Sequence, residues 1–130
     1  NSQPDDELFR ALTDLSTQGI IGDVVFSHYK YGIFINSIAN KKNYLDANSD
    51  YAPNLKVRYQ DMQTLFYTRN ADQAKELINK YDIDYILITK EMKEGLVWNN
   101  RDEGLLFVVE NSNEFRNVIK NDEVEIWKVR

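Results

Sequence analysis

The sequence predicts an α/β domain with a mainly parallel central sheet, in two or three layers, flanked by helices and closed by a C-terminal β-hairpin. Three observations predict it. "DVVFS" at 23–27 is a short apolar run followed at once by a helical pattern. "DYILIT" at 84–89 is β-branched and apolar throughout its centre, as a strand buried on both faces must be. "FRNVIKN" and "EVEIWKV" flank Asn121 and Asp122, a turn pair between two alternating runs. Strand, helix and strand, then helices and a further strand, is the alternation of parallel strands joined by right-handed crossovers. The 130 residues fit one domain with a real core, and no internal repeat divides them.

The elements follow in order. From Pro4 to Thr17, Leu8, Ala11, Leu12 and Leu15 recur at helical spacing, and Asp5, Asp6 and Glu7 place negative charge at the helix start. Gly19 is the expected stop. After the strand at 23–27, "YGIFINSIA" at 31–39 reads as a helix with Ile35, Ile38 and Ala39 inward. "KKNYLD" at 41–46 reads as a weaker strand, and 47–54, rich in Asn, Asp and Ser, as a loop. Val57, Met62, Leu65 and Phe66 predict a short helix. Asn70 is the N-cap of the next, with Gln73 completing a capping-box pair and Ala74, Leu77, Ile78 and Tyr81 forming the buried stripe. Residues 91–101 read as an exposed connection, and "GLLFVVEN" fits a helix or a strand.

Composition excludes several functions. A net charge of −5 lacks the excess of Lys and Arg that a nucleic-acid footprint requires. With no Cys, there are no disulfides, thiolate metal sites or cysteine nucleophiles. No apolar run approaches the ~18 residues of a membrane span, and no basic segment followed by an apolar one reads as a signal peptide. The start, "NSQPDDE", reads as a cut within a linker, so a soluble piece of a larger membrane protein is the expectation.

The conspicuous stretch is "FSHYKYGIF" at 26–34, which holds the single histidine of the chain. Neither GxGxxG nor GxxxxGK[ST] occurs, so a phosphate loop is not supported. Ser27 and His28 are neighbours whose side chains point opposite ways on a strand end, and no GxSxG elbow exists, which argues against a hydrolase. One His and no Cys leave only carboxylate metal sites. "DANSD" at 46–50 has alternating oxygen donors, but Tyr51 and Val57 stand where an EF-hand needs Gly and Glu, so it reads as an Asx-rich turn. Trp98 and Trp127 read as structural, with Trp98 open to contact with a partner or a membrane surface. No catalytic and no metal-ligating residue is assigned.

The order "ELFRALTDLSTQG", "DVVFSHYKYGIFINSIANKKNYLD", "AKELINKYDIDYILIT" and the closing "FRNVIKNDEVEIWKVR" resembles the extracytoplasmic C-terminal domain of GT-C-type membrane glycosyltransferases, especially archaeal oligosaccharyltransferases. The resemblance spans most of the chain. In that family the first strand runs into Ser-Trp-Trp-Asp-Tyr-Gly, followed by a basic residue and a strand ending in Asp. Here the equivalents are Ser27, His28, Tyr29, Lys30, Tyr31 and Gly32, then Lys41 or Lys42, then Asp46. The resemblance makes His28, Tyr29, Lys30, Tyr31 and Gly32 a degenerate acceptor-binding segment. Lys30 stands where the family's Asp accepts the sequon hydroxyl, and an ammonium only donates. Tyr31 and Gly32 are expected to be architectural, an aromatic under the strand and a tight start to the helix.

The resemblance further implies that catalytic acids, a divalent metal and the lipid-linked sugar belong to the membrane-embedded portion of the same polypeptide. This chain would then hold no cofactor, lie on the extracytoplasmic face of the membrane, and contact an acceptor, a carbohydrate or a glycolipid. The competing reading is a free-standing small α/β binding module for a carbohydrate or protein partner.

Overall fold

The computed structural model describes residues 5–46 and 55–130. Helix α1 (Asp6–Ser16) starts where Asp5 accepts the Leu8 N–H at 2.8 Å, and it buries Leu8, Ala11, Leu12 and Leu15 as their spacing requires. Strand β1 (Val24–Phe26) is fully buried and runs through a 3-10 turn (Tyr29–Tyr31) into helix α2 (Gly32–Ser37). The expected strand at 41–46 is only two residues, β2 (Lys42–Asn43), before a 3-10 turn (Tyr44–Asp46). Helices α3 (Leu55–Tyr67) and α4 (Ala71–Lys80) lead to strand β3 (Ile83–Thr89). Helix α5 (Gly104–Asn111) resolves the ambiguity of "GLLFVVEN". The hairpin follows as β4 (Phe115–Lys120) and β5 (Val124–Val129).

The five strands lie in the order β2-β1-β3-β5-β4. β1 pairs in parallel with β2 and β3, whereas β5 pairs antiparallel with β3 and β4, so the parallel part is confined to the first three strands. Alternation along β3 sends Ile86 and Ile88 to one face and Tyr85 and Leu87 to the other, and all four are buried. Phe26 shares the Ile86 face and meets Phe66 of α3 at 4.6 Å between ring centroids. On the opposite face, Gly19, just past α1, lies against Tyr85. Helices therefore cover both faces, in three layers. Asp84 ties β3 to β1 by accepting the Val24 N–H at 2.8 Å, and burial raises its carboxyl above the usual range.

The cap of α4 differs slightly from a capping box. Asn70 Oδ1 accepts the Gln73 N–H at 3.0 Å, but the return path is relayed: Gln73 Oε1 accepts from the Thr68 hydroxyl, which itself accepts the Asn70 N–H. Such caps contribute about 1 kcal/mol.

The stretch 91–101 corrects the sequence reading in part: Glu91, Glu94, Gly95 and 99–101 are exposed, but Met92, Val97 and Trp98 are buried. Met92 and Trp98 are fully buried on either side of a π-type turn (Met92–Leu96), whose Gly95 has φ 122°. Trp98 packs edge-on against Phe66 and donates its indole N–H to the Phe66 carbonyl at 2.8 Å. Trp98 is thus a core residue rather than a surface free to meet a partner or membrane. The same carbonyl also fixes Gly104, where φ is +48° and an added Cβ would lie 2.1 Å from Phe66 O.

Two stability effects follow from this packing. Trp98→Ala should cost about 3–5 kcal/mol in urea unfolding, as for other buried aromatic truncations. Gly104→Ala should cost at least ~2 kcal/mol, since backbone strain and overpacking act together there.

Candidate functional site

The chain leaves β1 toward β2 on one side, and leaves β3 toward α5 and the hairpin on the other. Neighbouring strands whose onward connections diverge leave a crevice beyond their C-terminal ends, which is where open α/β sheets bind ligands. Residues 27–32 sit there, facing Thr89–Met92. Residues 28–32, read as an acceptor-type segment, form a 3-10 turn with His28 and Gly32 at its two ends.

Ser27 is buried, and its hydroxyl donates to the Leu87 carbonyl at 2.8 Å. The His28 ring faces elsewhere: Nδ1 accepts the Lys30 N–H at 3.1 Å, and the ring stacks on Tyr29 at 4.3 Å. The Ser27 proton is committed to a backbone carbonyl, so the two do not form a nucleophile–base pair. Tyr29 is 58% exposed. Lys30 Nζ lies 2.6 Å from Glu91 Oε1, and the Tyr31 hydroxyl donates to the same oxygen at 3.0 Å. Met92 N–H donates to Thr89 Oγ1 at 3.1 Å, and the Thr89 and Tyr31 hydroxyls are bonded at 2.8 Å. The proton order that satisfies every group runs from Met92 N–H through Thr89 and Tyr31 to Glu91. Burial, chiefly, pushes the Tyr31 hydroxyl up to about 12, so it stays a donor at neutral pH. Hydrogen bonds from Lys30 and Tyr31 hold the Glu91 carboxyl below its usual range.

Gly32 opens α2. Its φ of −57° is helical and available to any residue, so no left-handed turn demands glycine. The constraint is steric and mild: an added Cβ would stand 3.1 Å from the Asn43 side-chain nitrogen. Of the downstream residues, Lys41 is buried, Lys42 lies exposed on β2, and Asp46 accepts from Asn36 and Asn43. The rest of the Asx-rich run lies outside the described residues. Among the described residues, no group of three or more His, Asp or Glu side chains is placed to hold a metal ion.

Beside the turn lies an open groove of about 550 Å³ lined by Asp5, Lys90, Glu91, Glu94, Leu96 and Glu123. Four carboxylates face one ammonium there. Sequence reasoning missed Glu91 and Thr89, which lie some 60 residues from the turn they serve. The signal was present, because Thr89 ends the clearest strand and Glu91 stands two residues beyond it, at the end where a parallel sheet binds.

No family model matches the chain, and no curated protein matches it. Solved structures do. The C-terminal globular domain of an oligosaccharyltransferase from Archaeoglobus fulgidus aligns over 99% of this chain and 100% of its own, with a TM-score of 0.76 at 15% identity. This chain has the fold of that domain. A second structure of the C-terminal globular domain of oligosaccharyltransferase from the same organism aligns over 99% of this chain and 98% of its own, with TM-score 0.60 and 16% identity. The Archaeoglobus fulgidus oligosaccharyltransferase tethered by a disulfide bond to an acceptor peptide containing the NVT sequon matches 69% of this chain at TM-score 0.52 and 16% identity. The match takes in 14% of that longer protein. The likeness is one of fold, and it is the fold that the order of sequence motifs implied. No helix among the described residues is long and apolar enough to cross a membrane.

His28 should titrate below the ~6.5 of a free imidazole, because burial first, and then the Lys30 charge, disfavour its cation. A depressed histidine stabilises the fold only while neutral. Stability from this group should therefore be complete above ~6.5 and decline as pH falls from there through the folded value. The single histidine makes an NMR titration unambiguous, and a midpoint at or above that of an unfolded control would contradict the geometry. Lys30→Ala and Glu91→Gln should each cost under about 1 kcal/mol, since both partners are largely exposed.

Proposed function

We propose that this chain is the extracytoplasmic domain of a membrane glycosyltransferase-like protein related to oligosaccharyltransferases. It acts as an accessory module that contacts the acceptor or the glycolipid, with no catalysis of its own. The observation that carries the reading is the end-to-end structural match to an oligosaccharyltransferase C-terminal globular domain, 99% of one chain on 100% of the other. Two further observations support it. The turn His28–Gly32 stands at the sheet's crevice, and the order of sequence motifs matches that family across most of the chain. The partner on this reading is the membrane-embedded portion of the same polypeptide, which would supply the catalytic acids, the divalent metal and the lipid-linked sugar.

The contact made at the crevice differs from sequon recognition of the oligosaccharyltransferase kind. Recognition of a Ser or Thr hydroxyl needs an acceptor on the turn, and Lys30 offers only donors. The nearby carboxylate, Glu91, already binds Lys30 and the Tyr31 hydroxyl through Oε1.

Two outcomes test the proposal. The reading frame preceding Asn1 should encode several membrane-spanning segments; a start codon just before Asn1, with no such segments, would overturn it in favour of a free-standing module. A peptide carrying Asn-X-Thr should leave the backbone amide resonances of residues 27–32 and 89–92 unmoved, and Lys30→Asp should not change that. Saturable shifts there would show that sequon recognition has survived.

A further inference from the structure

A second cleft lies on the hairpin, away from the crevice. Glu125 and Trp127 alternate onto one face of β5. Opposite them in register stand Lys120 and Asn117. Residues three apart on a regular strand face opposite sides, so Asn117 and Lys120 would not normally share a face. They do here because the register shifts between Asn117 and Ile119, a β-bulge of the kind that re-aims side chains. The Asn117 amide locks the bulge by donating to the Ile119 and Ile126 carbonyls at 3.2 and 3.3 Å. Arg101 and Glu110 complete a cleft of about 280 Å³.

The electrostatics are balanced. Glu125 is 5% exposed, and its carboxylate accepts from Lys93 at 2.9 Å and from the Trp127 indole N–H at 3.0 Å. Glu110 faces Arg101 at 3.4 Å. The four lining charges cancel, Arg101 and Lys120 against Glu110 and Glu125, and Lys93, outside the lining, adds one positive charge beside Glu125. The lining offers a half-buried indole, the unengaged Asn117 Oδ1, carboxylate oxygens and the N–H groups of Arg101 and Lys120, fixed around a space at the small end of ligand pockets. A half-buried indole with hydrogen-bond donors and acceptors beside it fits a molecule with one apolar face and many hydroxyls.

We propose that this cleft binds a single neutral sugar ring, stacked on Trp127 and hydrogen-bonded by Asn117, Glu110 and Arg101. The site stands apart from the membrane-enzyme reading: upstream membrane spans test that reading, and the hairpin tests this one.

The experiment is an NMR titration of the 130-residue chain with methyl glycosides of glucose, galactose, mannose and N-acetylglucosamine, with glycerol as control. At least one sugar should shift the Trp127 indole and Asn117 side-chain amide resonances saturably, with a midpoint on the order of millimolar, while the buried Trp98 indole stays still. Arg101→Ala, whose side chain is 82% exposed and whose loss leaves the core intact, should weaken binding about 3- to 10-fold. Trp127→Ala should abolish it; if that variant fails to fold, Arg101→Ala carries the test alone. No saturable shift with any sugar, equal shifts with glycerol, or binding unaffected by Arg101→Ala would each overturn the proposal.

Discussion

The structure depends on β3 being buried on both faces. Tyr85 through Ile88 expose 1% or less of their surface, so neither side of the strand tolerates water. Each face must be covered, and α1 lies on the Tyr85 face while α3 packs on the Phe26 and Ile86 face. The turn after β1 passes through α2 toward the edge strand β2, while the segment after β3 folds back through the π-type turn toward α5. The divergence opens the crevice at the ends of β1 and β3.

Polar groups that this burial drags inward are satisfied by seams between layers. Arg58, 5% exposed, donates to the carbonyls of Tyr44 and Leu45, holding α3 against the turn that follows β2. Tyr44 returns the bond by donating to the Arg58 carbonyl at 2.8 Å. Asp61 on α3 accepts from Lys80 at 2.7 Å and from the Tyr81 hydroxyl, closing α3 onto the end of α4. Breaking such a seam would strand a buried donor or acceptor, which costs more than the bond itself contributes.

What was legible in the sequence was what local periodicity encodes. The stripe of α1, the Asn70 cap, β3 and the hairpin all follow from spacing or turn chemistry within a few residues. The stretch 91–101 was not, because a π-type turn has neither helical nor strand period and Trp98 is buried by a distant carbonyl rather than by its neighbours. Gly32 opens α2 with an ordinary helical φ, and its closeness to Asn43 could not be read because that contact crosses to β2. At the site, the turn itself could be read but its partner could not, since Glu91 reaches Lys30 and Tyr31 only through strand pairing. The hairpin cleft was hidden more deeply, as a bulge shifts register without any mark in the hydrophobic pattern.

The two clefts differ in the ligand chemistry they admit. At the crevice, Asp5, Glu91, Glu94 and Glu123 face Lys90, and adding Lys30 still leaves carboxylates in excess. A phosphate there would meet like charge in a partly desolvated groove, which is unfavourable. The exposed Lys30–Glu91 pair is weak enough for a hydroxyl-bearing or cationic group to displace at a cost under about 1 kcal/mol. The hairpin cleft carries no excess of carboxylates, since Arg101 and Lys120 of its lining offset Glu110 and Glu125. Substituting Asp for Lys30 would put an acceptor on the turn beside Glu91, adding a like charge where one carboxylate is now neutralised. Glu91 and Lys30 are electrostatically a pair, so the turn's hydrogen-bonding character is set by both residues together.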